Sequence, residues 1–292
     1  MHAARVAVVA EHAWNKLGII AGGGDLPVRL AEHCRRHGRP YFVARIAPLT
    51  APVLSEHPGA DSPLDKMGAR FAALHAAGCD AVVLAGAVSR PDFNSFDPDE
   101  RTRQMLPAIL AAAAQGDDQL LRALVAECET DGFKVVGAGD VFDALLAPPG
   151  SLGAHKPDTA AMADIRKAAA LAAALGAFDV GQGAVVCAGL ALAVEAQEGT
   201  DAMLARVAAL PRALRGAPDA RRGVLVKRPK PAQERRIDLP VIGLTTIENA
   251  AAAGLAGVAI EAQGALIVDL EAVVARADVL GLFVFGFDPN NL

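Results

Sequence analysis

The sequence predicts an α/β chain of two domains: a Rossmann-like parallel sheet at the N-terminus and a mixed α/β domain at the C-terminus. Three observations carry that expectation. Short aliphatic runs alternate with helical patterns through the first half, as βαβ units forming a parallel sheet require. Pro and Gly concentrate between two helical patterns at 147–157, the strongest break in the chain. Of the 292 residues 53% are apolar and only 4% aromatic, enough for large cores built from aliphatic side chains. The expected division is a Rossmann-like domain at 16–147, a linker at 148–157 and a catalytic α/β domain at 158–292.

The elements follow in order. Residues 17–21 form an apolar strand that breaks at Gly22-Gly23-Gly24. A helix then starts with Asp25 at its N-cap and Pro27 in its first turn, where a missing N–H costs nothing. Leu26, Leu30 and Cys34 recur at helical spacing, and Gly38 ends the helix. A strand at 41–46, a helix at 65–77, a strand at 81–85, helices at 103–115 and 118–130 and a strand at 133–138 complete the first domain. The second opens with a helix at 159–175, then two apolar runs, 184–188 and 190–196, joined at Gly189. A helix follows Thr200, then a strand at 224–227, a basic Pro-rich loop at 228–236 and an apolar run at 237–243. Thr245 and Glu248 fit a capping box for the next helix. Residues 258–261 and 265–268 read as a hairpin, and the chain closes on a strand at 282–287.

Composition excludes several classes. A net charge of -5 argues against non-specific nucleic-acid binding. Cys34, Cys79, Cys128 and Cys187 are scattered and apolar in context, so free buried thiols are expected, without a disulfide framework or zinc site. No apolar run reaches the roughly 20 residues a membrane span needs, and residues 1–15 read as a dispensable extension rather than a signal peptide. The expectation is a cytoplasmic protein with at most peripheral contact at the inner membrane. His33 and His37, beside Arg35 and Arg36, read as a solvated basic face.

Five stretches could carry chemistry. Gly22, Gly23, Gly24, Leu26 and Pro27 join a strand to a helix, where glycines either admit a phosphate to the backbone or simply make a tight turn. It is not a dinucleotide fingerprint, since Pro27 replaces the third glycine and Arg45 lies where a ribose-binding acid is expected. Ser89 and Arg90 follow another strand and could hold a phosphate. Gly181 and Gln182 lie in a glycine-flanked turn with room for close approach of a ligand. Glu195 interrupts an apolar strand, and Thr200 and Asp201 follow it, either as helix-capping residues or as neighbours of a divalent ion. Lys227, Lys230 and Gln233 precede Asp238, a carboxylate set between Ile237 and Leu239 that needs a partner or a metal if buried. Cations beside a metal-binding acid are what phosphoryl transfer uses.

Six segments resemble the LpxI-type UDP-2,3-diacylglucosamine pyrophosphatases of lipid A biosynthesis: LGIIAGGGDLP (17–27), AGAVSRP (85–91), GDDQLLR (116–122), DVGQ (179–182), VEAQEGTD (194–201) and IDLPVIG (237–243). They occur in the expected order from about Lys16 to the C-terminus. The resemblance implies metal-dependent hydrolysis, with Mg²⁺ or Mn²⁺, by attack of water on the β-phosphorus. The products would be UMP and 2,3-diacylglucosamine 1-phosphate (lipid X). It further implies a homodimer of two-domain chains holding the ligand between their domains. Asp238 looks like the family's key catalytic residue, acting on the metal or the attacking water, with Glu195 and Asp201 as further metal candidates. The competing readings are a nucleotide-sugar transferase or synthase, and a non-catalytic lipid-binding protein.

Overall fold

A computed structural model describes residues 14–89, 91–231 and 233–292. They form two compact units. The first comprises the described chain up to Met105 together with Ala126–Val136, the second Leu106–Val125 with Gly137–Leu292.

The first unit contains β1 (Leu17–Ala21), α1 (Leu26–Arg36), β2 (Tyr41–Ala47), β3 (Gly59–Pro63), α2 (Met67–Ala76) and β4 (Ala81–Ala85). The start of α3 (Glu100–Ala113), the end of α4 (Asp117–Thr130) and β5 (Lys134–Val135) complete it. All five strands are parallel, in the order β3-β2-β1-β4-β5. Every residue of β1 is buried, because a central parallel strand is covered on both faces and needs an unbroken aliphatic run. The strand order reverses between β1 and β4, so their C-terminal ends flank the switch point at which such sheets present a crevice.

Several local expectations change. The sequence reading has no counterpart to β3, an edge strand of Gly, Ala, Asp, Ser and Pro. It is recruited by its pairing with β2 and by the Arg45–Asp61 ion pair (2.6 Å), not by an apolar pattern. The expected strand at 133–138 is only two residues long, because Gly137 starts α5 (Ala138–Val141), with its amide on Asp140 Oδ2 at 2.9 Å. Helix α2 begins at Met67, and Asp65 instead accepts the Asp97 amide (2.8 Å). Asp99 serves two helix starts at once. Its carboxylate accepts the Gly68 and Ala69 amides of α2 (3.2 and 2.9 Å) and the Thr102 amide and hydroxyl of α3 (2.8 and 2.7 Å). His33 is buried rather than solvated, its ring tilted 32° to that of His37 at a centroid distance of 4.2 Å. Residues 1–13 of the expected extension lie outside the described residues, but Asn15 is anchored, its amide and side chain donating to Asp80 at 2.8 Å. The four cysteines are free and buried, as expected, and burial pushes the Cys128 thiol up to about 12.

The second unit continues with β6 (Gly150–Ser151), α6 (Thr159–Gly176), β7 (Gly183–Cys187), β8 (Leu190–Val194), α7 (Gly199–Ala209) and β9 (Val224–Lys227). After these come β10 (Val241–Ile242), α8 (Leu244–Ala252), β11 (Gly257–Glu261), β12 (Leu266–Ile267), α9 (Leu270–Leu280) and β13 (Phe283–Phe287). The six-stranded sheet runs β6-β13-β11-β9-β7-β8. Strands β13, β11 and β9 are parallel, whereas β6, β7 and β8 join through antiparallel pairings, making the sheet mixed as expected. Alternate residues supply two cores. Val185, Leu225, Val258 and Ile260 pack with Met203, Leu204, Ile247 and Val273. Ala184, Val186, Val224, Val226 and Ala259 pack with Ile165, Ala168, Ala169 and Ala172 of α6. Alanines on α6 let the helix lie close to the sheet.

The β7–β8 hairpin closes through Ala188 and Gly189, both at positive φ, whose amides donate to Asp164 (2.9 and 2.8 Å). Residues 150–151, expected in a linker, are an edge strand on β13. The expected hairpin at 258–268 does not form: β11 is central in the large sheet, and β12 pairs in parallel with β10. Nor do Thr245 and Glu248 make a capping box. Thr246 Oγ1 accepts the Gly243 amide (3.4 Å), while Glu248 pairs with Arg276 (3.1 Å). Among the described residues no helix is long and apolar enough to cross a membrane.

Candidate active site

In the first unit the expected phosphate loop is half of a backbone clasp. The Gly23 amide donates to Ala87 O (2.8 Å), and the Ala87 amide donates back to Gly23 O (2.9 Å), while the Gly22 amide reaches Ala85 O (2.8 Å). A Cβ at Gly22 would lie 2.7 Å from Ala87 O, and one at Gly86 2.5 Å from Gly23 O. Gly22 and Gly86 are therefore required for loop-to-loop packing, and the Gly22 and Gly23 amides are spent on it rather than available to a phosphate. Gly24 differs: its φ is +87° and nothing lies within 4 Å of a Cβ built there. Asp25 occupies the N-cap of α1 without a capping hydrogen bond from its side chain, and Pro27 sits in the first turn. Leu26 opens that helix, and Ser89 is exposed beyond β4. Arg90 lies outside the described residues.

In the second unit the structure gathers residues from four separate stretches. Asp238 is not inside a strand, as its apolar neighbours suggested, but in the loop before β10, half-buried. Its Oδ2 accepts the Gln182 amide (3.0 Å) and the Gln233 amide. Oδ1 accepts no hydrogen bond among the described residues. Burial pushes the Asp238 carboxyl above its ordinary value, against the opposing pull of the Gln233 amide, Lys230 and Lys227; Asp118 adds to the rise. A carboxylate so placed is a better proton acceptor than a solvated one.

Each partner is itself held. The Lys230 amide donates to Gln233 Oε1 (2.7 Å), which orients the Gln233 amide toward Asp238. Lys230 Nζ pairs with Asp179 (2.5 Å), a residue at φ 58°, a backbone state that Asp tolerates better than most. Asp179 Oδ2 also accepts the Asp118 amide (3.2 Å). Burial would raise the Asp179 carboxyl, but Lys230 and the Asp118 and Asp117 amides outweigh it and hold it low.

A second cluster centres on Lys227. Its ammonium donates to Thr200 Oγ1 (2.6 Å), and the Thr200 hydroxyl donates to Glu195 Oε1 (2.7 Å). Lys227 stands 3.8 Å from the same carboxylate. Glu195 is 9% exposed, and its Oε2 is buried with no hydrogen-bond partner among the described residues. The flanking glycines make room for it, since a Cβ at Gly183 would be 2.6 Å from that oxygen and one at Gly181 would meet the Glu195 backbone. Asp201 stays outside both clusters, exposed at the start of α7 and accepting from Asn249 (2.9 Å).

These positions bear on a divalent ion. Among the described residues no three His, Cys, Asp or Glu side chains are grouped as a ligand set. Mg²⁺ commonly needs only one or two protein carboxylates, completing its shell with substrate phosphates and water. Asp238, with Oδ1 open, and Glu195, with an orphaned Oε2, each fit that lesser requirement. Asp201, the third acid expected there, stands apart from both, with Asn249 donating to its Oδ1.

The sequence reading missed Asp118, Asp179 and Glu234, whose interlocking supports the loop around Asp238. The Glu234 amide donates to Asp118 Oδ1 (2.9 Å), and Arg122 holds Oδ2 (2.7 Å). Two of them lie in segments singled out for resemblance, but pairing across 61 positions leaves no local trace.

The profile of the LpxI N-terminal domain matches residues 16–145, and that of the LpxI C-terminal domain matches residues 148–285. A curated relative, the UDP-2,3-diacylglucosamine pyrophosphatase LpxI of Caulobacter vibrioides, is 55% identical over 276 residues, covering 94% of this chain and 99% of its own. A solved structure of CobK precorrin-6A reductase, at 16% identity, covers 94% of this chain and 88% of its own with a TM-score of 0.33, too low to carry a fold argument.

Proposed function

The chain belongs to the LpxI family, and on that premise we propose that it hydrolyses the pyrophosphate of UDP-2,3-diacylglucosamine to UMP and lipid X, with Asp238 as the central catalytic group. The observation that carries this assignment is a carboxylate held by the Gln182 and Gln233 amides, its basicity raised by burial, with Lys230 and Lys227 close enough for their charge to act on it. Gln182 and Gln233 fix Oδ2, so Oδ1 faces the attacking water. As the oxygen of water bonds to the β-phosphorus, the bridging P–O bond to UMP breaks and a water proton passes to Asp238. Lys227 and Lys230 stabilise the charge spreading over the phosphoryl oxygens, as preorganised cations do in a partly dry site.

Asp238 and Glu195 are the acids that would hold a Mg²⁺ or Mn²⁺ ion, which would supply neutralisation of phosphate charge and a more acidic water. Thr200 keeps Lys227 pointed inward, and Gly181 keeps the Gln182 turn close to Glu195. Within the first unit, the N-terminus of α1, with Gly24, Leu26 and Pro27 beside the Gly22-Gly23 clasp, and Ser89 beyond β4 are the candidate contacts for an anionic group, which helix N-termini favour.

The test is incubation of the purified chain with UDP-2,3-diacylglucosamine and Mg²⁺ or Mn²⁺, without any sugar acceptor. Release of UMP with lipid X supports the hydrolase. Absence of UMP with either ion overturns it, and undiminished release after exhaustive chelation overturns the metal requirement alone.

A further inference from the structure

Glu261 has no part in the chemistry described above, yet it is the most deeply buried carboxylate among the described acids, at 3% exposure. It ends β11. Lys227, the last residue of β9, pairs in register with Ile260, so Arg228 and Glu261 are the next residues on two adjacent parallel strands. Lys227 and Ile260 face the core that holds Met203 and Ile247, so the next residues turn to the α6 side. There Arg228 Nη1 reaches Ala169 O of α6 (3.5 Å), and Nη2 stands 3.1 Å from Glu261 Oε2. The other oxygen, Oε1, meets Arg235 Nη2 at 3.5 Å. Gly264 gives the carboxylate its space, since a Cβ there would lie 2.6 Å from Oε1.

Arg228 and Arg235 are the two ends of the loop that carries Lys230 and Gln233. The Arg228 amide donates to Gln182 O (3.0 Å), and the loop's far end feeds into Asp238 through the bond from its amide to Glu234 O (3.3 Å). A charge so deeply buried must be paired or its desolvation is severe, and here both partners lie on one loop. We propose that Glu261 is a positioning residue: it cross-braces the two ends of the 228–236 loop and thereby sets Lys230 and Gln233 against Asp238. The proposal rests on the reading of Asp238 as the catalytic group.

Glu261→Gln keeps the volume and removes the charge. In the full-length chain, hydrogen exchange of loop amides, among them Lys230 and Asp238, is expected to quicken about tenfold or more as the brace is lost. In parallel, kcat for UMP release falls about 10- to 100-fold, since small misplacements of reacting groups cost that much, while KM and Tm change little. Arg235→Gln gives a partial loss, and the double variant loses no more than the worse single variant, as residues acting through one another must. Unchanged loop exchange in Glu261→Gln overturns the proposal whatever the activity, and so does a kcat loss explained by a lower folded fraction. Independent, additive losses in the double variant also overturn it. If wild-type enzyme releases no UMP, the catalytic assignment fails, while the exchange data still decide whether the brace exists.

Discussion

Replacing Asp238 by Asn separates what this side chain does for turnover from what it does for folding. The Asn oxygen can still accept the Gln182 and Gln233 amides that now reach Oδ2, so the loop should keep its shape. The proton acceptor and the ionic ligand are both lost. General-base catalysis contributes about 10²- to 10⁴-fold, and at roughly 1.36 kcal/mol per decade the expected rise in barrier is about 3–5 kcal/mol. Stability moves the other way. Because burial raises the folded-state pKa of Asp238 above its unfolded value, the group favours folding least when ionised. Its stability contribution is complete below the ordinary carboxylate range and is lost as pH rises from that range through the raised folded value. Asn removes that penalty, so Tm at about pH 8 should equal or exceed wild type, with the gain vanishing below about pH 4. UMP release and thermal melting in chelator across this range test both halves. Turnover within a few-fold of wild type would refute the catalytic role, and a Tm well below wild type at the higher pH would refute the argument from burial.

Lys227→Met should destabilise the second unit by about 3–5 kcal/mol, because it strands Glu195 in a site 9% exposed; urea unfolding measures it, and a loss under 1 kcal/mol would mean that Thr200 alone satisfies the acid. In the first unit Gly86→Ala should cost more than Gly24→Ala. Both sit at positive φ, but only the Gly86 methyl would strike backbone, 2.5 Å from Gly23 O, so about 2–3 kcal/mol against about 1 is expected. Equal losses in chemical denaturation would contradict the clasp. For Asp99, burial raises the carboxyl, but bonds from Thr102, Ala69 and Gly68 outweigh it and leave it low. The stability it supplies is present above the ordinary carboxylate range and is lost as pH falls through the depressed folded value. Asp99→Asn should flatten the acid limb of unfolding of the first unit, and an unchanged limb would count against it.

Much of this architecture can be read from local patterns. Strand β1, buried at every position, and β9 fall where uninterrupted aliphatic runs place them, and Gly189 marks the hairpin because its backbone state favours glycine. Strand β3 escapes because an edge strand of polar residues has no apolar signature. Residues 258–268 mislead because two apolar runs separated by a short turn look alike whether they pair with each other or with distant strands. At the site, Asp238 stands out as an acid among apolar neighbours, but that pattern suggests a strand where the chain makes a loop. The tie of Asp118 to Asp179 and Glu234, and the brace from Glu261 to Arg228 and Arg235, are tertiary facts that no spacing encodes. Asp201 lies beside Thr200 in sequence but pairs with Asn249 of α8, a contact that its position in the chain does not announce.

The reciprocal amide exchange between Gly23 and Ala87 couples two loops that are more than sixty residues apart along the chain. A ligand group that displaced one rim would have to displace the other, so the crevice opens as a unit or not at all. For anyone grafting a different recognition loop after β1, the clasp means that the loop after β4 has to be redesigned with it.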